Sequence, residues 1–200
     1  MQFRSLRRFA MIVGLGSLMA ACSSANPPVQ RLPDLSFRDL PPVQLDIGQI
    51  EVVSEFQPSS RPPHIEYDMP VAPENAIKRW VQDHLQPVGR TGKLRVVIRD
   101  ATATETPLKT DQGITGVFKK EQAARVDMSI DIALQMLDDR QFVISEVTGR
   151  QQNSRTEPEG QKLNERDRLL YDMAHDLIIG FNRDIDANLR STFHQWVVMK

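Results

Sequence analysis

Cysteine is nearly absent from this chain: Cys22 is the single one in 200 residues. An internal disulfide is therefore excluded, and so are the paired-cysteine motifs of zinc and redox sites. Histidine is scarce as well. His64, His84, His175 and His194 stand at no metal spacing such as HxxxH or HExxH. There is no G-x-S-x-G nucleophile elbow, and Gly113-Ile114-Thr115-Gly116 lacks the other parts of a phosphate loop. Positive charge is not in excess, the formal net charge being −1, so nothing electrostatic favours nucleic acid. No internal repeat is visible. The one strongly apolar run, Phe9 to Ala21, is shorter than the roughly 20 residues that a membrane-crossing helix needs.

What is present begins at the N-terminus. Arg4, Arg7 and Arg8 precede that run without an acid among them, and small residues close it. A basic start, a short apolar core and a small-residue end describe a secretory signal peptide. Arg7-Arg8 hints at twin-arginine export, but the residues after it suit the general secretory route better. The run ends Leu18-Met19-Ala20-Ala21-Cys22. This resembles the lipobox of bacterial lipoproteins, with Met19 where that family usually has Leu, Val or Ile. The resemblance implies cleavage before Cys22, diacylglycerol on its thiol, and a membrane-anchored protein on the periplasmic side. Ser23 in place of an aspartate implies, by the same resemblance, the outer membrane rather than the inner.

Removing residues 1–21 leaves 179, with 22 Lys and Arg against 26 acids. That length suits one domain and a tether. Residues 22–44 are dense in proline and lack apolar periodicity, so they read as a lipidated, semi-extended tether with a reach of about 60 Å. Residues 45–200 are expected to form a single domain.

Within it, Leu45 to Phe56 predicts a first strand. Pro73 opens a helix to about Leu85, proline being favoured at a first helical position. Leu94, Val96 and Ile98 alternate with Arg95, Val97 and Arg99, and the alternation slips near Asp100 before ending near Pro107. Six apolar residues at period two, Val126 to Met136, predict a strand with one buried and one wet face. Asp138-Asp139 turns it into a further strand, Gln141 to about Gln152. A helix from about Leu163 to Leu189, capped by Asn164, carries an apolar stripe through Leu170, Met173, Leu177, Phe181, Ile185 and Leu189. The order β-α-β-β-β-α predicts an α+β two-layer sandwich. A mainly antiparallel sheet of about four strands would carry both helices on one face.

Lipobox, proline-rich tether and this element order together resemble the auxiliary lipoproteins of bacterial envelope transport systems. Among these are the lipoprotein components of ABC-type lipid transporters and the small lipoprotein that assists lipopolysaccharide assembly. Leu94 to Glu105, with Asn164-Glu165-Arg166 opening the long helix, also looks like lipoproteins of alphaproteobacteria. The resemblance implies a non-enzymatic binding or assembly component within an envelope protein complex. No cofactor and no metal are expected from the residue spacings, and the resemblance transfers no functional residue beyond Cys22.

Candidate contact residues lie in the 107–123 connection. There Ile114, Val117 and Phe118 stand near two glycines and run into Lys119 and Lys120. An apolar tip flanked by lysines suits a partner or a lipid surface. Trp196, in the apolar tail from Phe193 onward, is a further contact candidate. Asp127 and Asp131 share the wet face of their strand with Ser129 between them, which favours a solvated face over acid–base or calcium chemistry. His175 and Asp176 are helix neighbours in sequence, which do not share a face. Two other functions stay open. An enzyme acting on envelope polymers would gather Asp100, Glu105 or His175 in a deep pocket, and a structural lipoprotein would link membrane to cell wall.

Overall fold

The most regular alternation in the sequence becomes the middle of a sheet. In the computed structural model, which describes residues 32–108 and 122–198, the elements follow in this order: β1 (Val43–Leu45), β2 (Gln49–Ser54), α1 (Pro73–His84), β3 (Leu85–Pro87), β4 (Lys93–Pro107), β5 (Gln122–Leu137), β6 (Val143–Pro158) and α2 (Leu163–Thr192). Val126, Met128, Ile130, Ile132, Leu134 and Met136 of β5 are all buried. Antiparallel neighbours β4 and β6 flank it, and β2 joins β4 in parallel, giving the order β2-β4-β5-β6. β1 and β3 form a second, two-stranded parallel sheet. The fold is α+β, with both helices packed on one sheet face and the other face open.

The expected first strand is two strands. The chain passes from one sheet to the other at Asp46-Ile47-Gly48, where a second segment crosses closely. A Cβ on Gly48 would lie 2.7 Å from the Arg90 carbonyl oxygen, and one on Gly89 2.3 Å from the Asp46 carboxylate. Only glycine permits that approach.

The slip in β4 is a register shift between Ile98 and Asp100. β2 ends opposite Ile98. Beyond it, the loop between β2 and α1, which carries Pro58, Pro62, Pro63 and Pro70, takes over the free side of β4. Ile65 N–H donates to the Ala103 carbonyl at 3.0 Å, Glu105 N–H to that of Pro63 at 2.8 Å, and Ala103 N–H to the Glu66 carboxylate at 2.9 Å. A loop that proline bars from being a strand thus still satisfies the ladder groups of β4.

α1 starts with Pro73 in its first turn and buries Ala76, Ile77, Trp80, Val81 and His84. α2 buries the expected stripe together with Ala174 and Ile178. Trp80 locks the two helices together. It meets Phe181 edge-on at 5.3 Å and donates its indole N–H to Asn182 Oδ1 at 2.9 Å. α2 sits low on the sheet because β6 offers Gly149, where a Cβ would lie 2.7 Å from the Phe181 ring.

Three boundaries are corrected. The packed domain begins before residue 45, inside the stretch read as tether. Leu35 and Phe37 are buried, and Asp83 receives the Phe37 N–H at 2.9 Å. Isolated apolar residues between prolines have no periodicity to betray this. α2 is capped at Lys162 rather than Asn164; the Glu165 carboxylate accepts the Lys162 N–H at 3.4 Å. β6 runs on to Pro158, past the expected Gln152. The tail closes on β1, with Asp46 N–H donating to the Trp196 carbonyl at 2.7 Å and Val198 N–H to that of Gln44 at 2.9 Å.

Candidate functional site

The open sheet face is built by the residues that alternate with the core on β2, β4, β5 and β6. Charges on it are matched across strands. Asp131 meets Arg150 at 2.6 Å, Glu146 accepts from Gln135 at 2.7 Å and pairs with Arg99 at 3.3 Å, and Glu51 pairs with Arg95 at 3.4 Å. Asp100 takes the hydroxyls of Thr102 and Ser129. The Ser154 hydroxyl holds the Asp127 carboxyl below the usual carboxylate range, against the effect of burial and with help from Arg125 at 2.8 Å. Thr102, Thr104, Asp127, Ser129, Gln152 and Ser154 line a shallow trough there. This is a hydrated surface of hydroxyls, amides and matched ion pairs.

The residues an enzyme would have gathered lie apart. Asp100 is on the open face. Glu105 pairs with Arg166 at 2.5 Å on the covered side, where Arg166 also meets Glu157 at 3.2 Å. Burial pushes the Glu157 carboxyl up in spite of Arg166. Burial also works against the Arg166 charge, but Glu157 and Glu105 outweigh it and hold that pKa above its ordinary value. His175 stacks on Phe37 at 5.6 Å, and Asp176 pairs with Arg155 at 2.5 Å. Among the described residues no three His, Cys, Asp or Glu side chains converge on a point that could hold a metal ion.

Cys22, Ile114, Val117, Phe118, Lys119 and Lys120 lie outside the described residues. Trp196 is half-buried, edge-on to the buried Phe193 at 6.0 Å, in the tail that closes on β1. No helix among the described residues is long and apolar enough to cross a membrane.

One surface escaped the sequence reading. At the β5–β6 turn the Asp138 carboxylate accepts the N–H groups of Arg140 at 2.9 Å and Phe142 at 2.8 Å. That turn presents Phe142 at 67 %, Val143 at 47 % and Ile144 at 54 % exposure. Val143 and Ile144 open β6, which is the edge strand of the described sheet, and Phe142 directly precedes it. The signal was available: three consecutive apolar residues straight after a polar turn break the alternation expected of a strand with one buried face.

No protein-family model matches the chain, and no curated protein matches it. Solved structures with some likeness include a minor lipoprotein from Acinetobacter baumannii, 15 % identical, covering 78 % of this chain and 99 % of that one with a TM-score of 0.37. The rare lipoprotein B of Shewanella oneidensis is 12 % identical over 71 % of this chain and 98 % of its own, with a TM-score of 0.34. A PelC dodecamer from Paraburkholderia phytofirmans is 9 % identical over 69 % and 88 %, with a TM-score of 0.23. Scores this low carry nothing about function.

Proposed function

We propose that the protein is a lipid-anchored envelope lipoprotein that binds a partner complex without catalysing a reaction. Lipid on Cys22 would hold it at the periplasmic side of a membrane, the outer membrane by virtue of Ser23. The partner would be an envelope complex, one moving lipid or lipopolysaccharide being the leading choice. The observation that carries the binding role is the apolar tip Phe142-Val143-Ile144, exposed at the start of an edge strand beside a hydrated sheet face. Exposed, contiguous apolar side chains rimmed by polar ones mark contact surfaces, and an edge strand offers unpaired backbone groups to a partner.

The test is crosslinking in cells followed by identification of partners, repeated with Phe142, Val143 and Ile144 all changed to Ser. A specific envelope partner is expected, lost in the triple variant without a lower melting temperature. A crosslink pattern that the variant leaves intact would sink the tip as contact surface. The anchor has its own check: Cys22→Ser should abolish acyl labelling, and membrane attachment that survives it contradicts the lipoprotein reading.

A further inference from the structure

The two sides of the main sheet end differently. One ends in β2, six residues long, and the loop bonds of Pro63, Ile65 and Glu66 continue along β4 where β2 stops. The other ends in β6, which among the described residues pairs with β5 alone. Edge strands are commonly blunted by lysine, proline, a bulge or short length. From 145 to 157 β6 holds no lysine and no proline. Its register with β5 runs without a shift from Ser145 opposite Met136 to Glu157 opposite Ala124. A straight edge of this kind offers a continuous row of backbone donors and acceptors.

The side chains along the edge say what fits it. Glu146 and Arg150 are the only charged residues that β6 turns to the open face, and Thr148 stands midway between them. Residues directly opposite in an antiparallel pair lie on the same face. When β6 meets β6 of a second copy about Thr148, Glu146 of each copy comes opposite Arg150 of the other. Centred on Arg150 instead, two arginines would meet; centred on Gly149, Glu146 would meet Gln152. The Thr148 register also prolongs rows already present. Asp131 lies opposite Arg150, and Glu146 holds Gln135 and Arg99. The joined sheet would read Asp131, Arg150, then Glu146 and Arg99 of the second copy, acid and base by turns. Arg150 can serve both acids. Only its Nε is engaged, at 2.6 Å from Asp131, and a guanidinium carries further donors at its two amino ends. On the covered face Val147 would lie opposite Gly149, which has no side chain to crowd it.

We infer that residues 145–151 of β6 pair antiparallel with the same residues of a second copy, joining two four-stranded sheets into one about a two-fold axis at Thr148. The apolar tip at Phe142, Val143 and Ile144 lies outside this pairing and stays available to an envelope partner, so the two ideas fail separately.

The test uses the full chain carrying Cys22→Ser, in which an introduced cysteine is the only thiol, in excess detergent micelles. Thr148→Cys lies opposite itself at the axis, with Cβ atoms about 5 Å apart, and should form a dimer with a short bismaleimide. Gln152→Cys, on the same face, would stand about 25 Å from its own copy and should form none. Sedimentation reads the charges. Glu146→Arg and Arg150→Glu each set like charges opposite each other twice, and each should raise the dimer dissociation constant about tenfold or more. Mixed in equal amounts, these two variants have complementary edges and should sediment as a dimer again. The triple Ser variant at Phe142, Val143 and Ile144 should still dimerise. A chain that stays monomeric, equal crosslinking at both cysteines, a mixture no tighter than either variant alone, or a monomeric triple variant overturns the pairing. So does capture of Thr148→Cys on a different protein in cells, which assigns the edge to a foreign strand.

Discussion

On β5, Met128 and Ser129 are neighbours in sequence, and the first is 1 % exposed while the second faces water. The same division runs through the whole sheet. The covered face is apolar and closely packed, with α2 let down onto β6 at Gly149. The open face has matched charges, each still in contact with solvent. Burial makes the covered face sensitive to one atom of volume or one proton, whereas solvent makes the open face forgiving. A surface forgiving for stability is free to be shaped for contact, which is where the exposed tip at Phe142 lies.

Breaking the covered face at its centre should have the largest effect. Trp80→Ala removes the contact with Phe181 and leaves Asn182 without its indole donor. A loss of about 3–5 kcal/mol is expected in urea unfolding. Next comes a proton. His84 is only 1 % exposed and stacks on Trp80 at 5.3 Å. Burial pushes its pKa down to about 4, opposed by Asp186 at 3.7 Å and assisted by Arg190. The unfolded chain then binds the proton more readily than the folded one. Stability should fall as the pH drops from about 6.5 toward 4, by up to about 3 kcal/mol. His84→Phe should flatten that part of the pH profile, and a profile unchanged by the substitution would refute the assignment. Gly149→Ala should cost about 1–3 kcal/mol by forcing a methyl against Phe181 and Ile185. At the small end, Arg150→Ala on the open face removes the partner of Asp131. Thermal melts should move by less than about 1 kcal/mol, since Arg150 is 79 % exposed. A large loss there would erase the contrast between the faces.

Legibility in the sequence followed the same contrast. Period-two alternation marked β5 from Val126 to Met136, and period 3.6 marked α2, because one buried face repeated over many residues leaves a pattern. β1 and β3 have three residues each, too few to repeat anything. Leu35 and Phe37 looked like tether residues because their burial comes from contacts distant in sequence, such as the hydrogen bond from Phe37 to Asp83. Glu66 gave no sign at all: in His64-Ile65-Glu66-Tyr67-Asp68 it reads as one more loop acid. Its burial depends on the loop lying along β4 beyond the bulge, which only the folded chain reveals. The apolar tip is legible as well, since Phe142-Val143-Ile144 interrupts the alternation just after the turn.

The closure of the tail on β1 bears on mechanics. A pull applied to the domain from its N-terminal side would reach Leu35 and Phe37 first and then β1. That strand is tied to β3 along its length and to Trp196 and Val198 from the other side. Parallel strands drawn along their own axis resist as a group instead of opening one bond at a time. The stretch where the domain begins is thus clamped from two sides, and tension applied there would be shared with Trp196 and Val198 before it could loosen the main sheet.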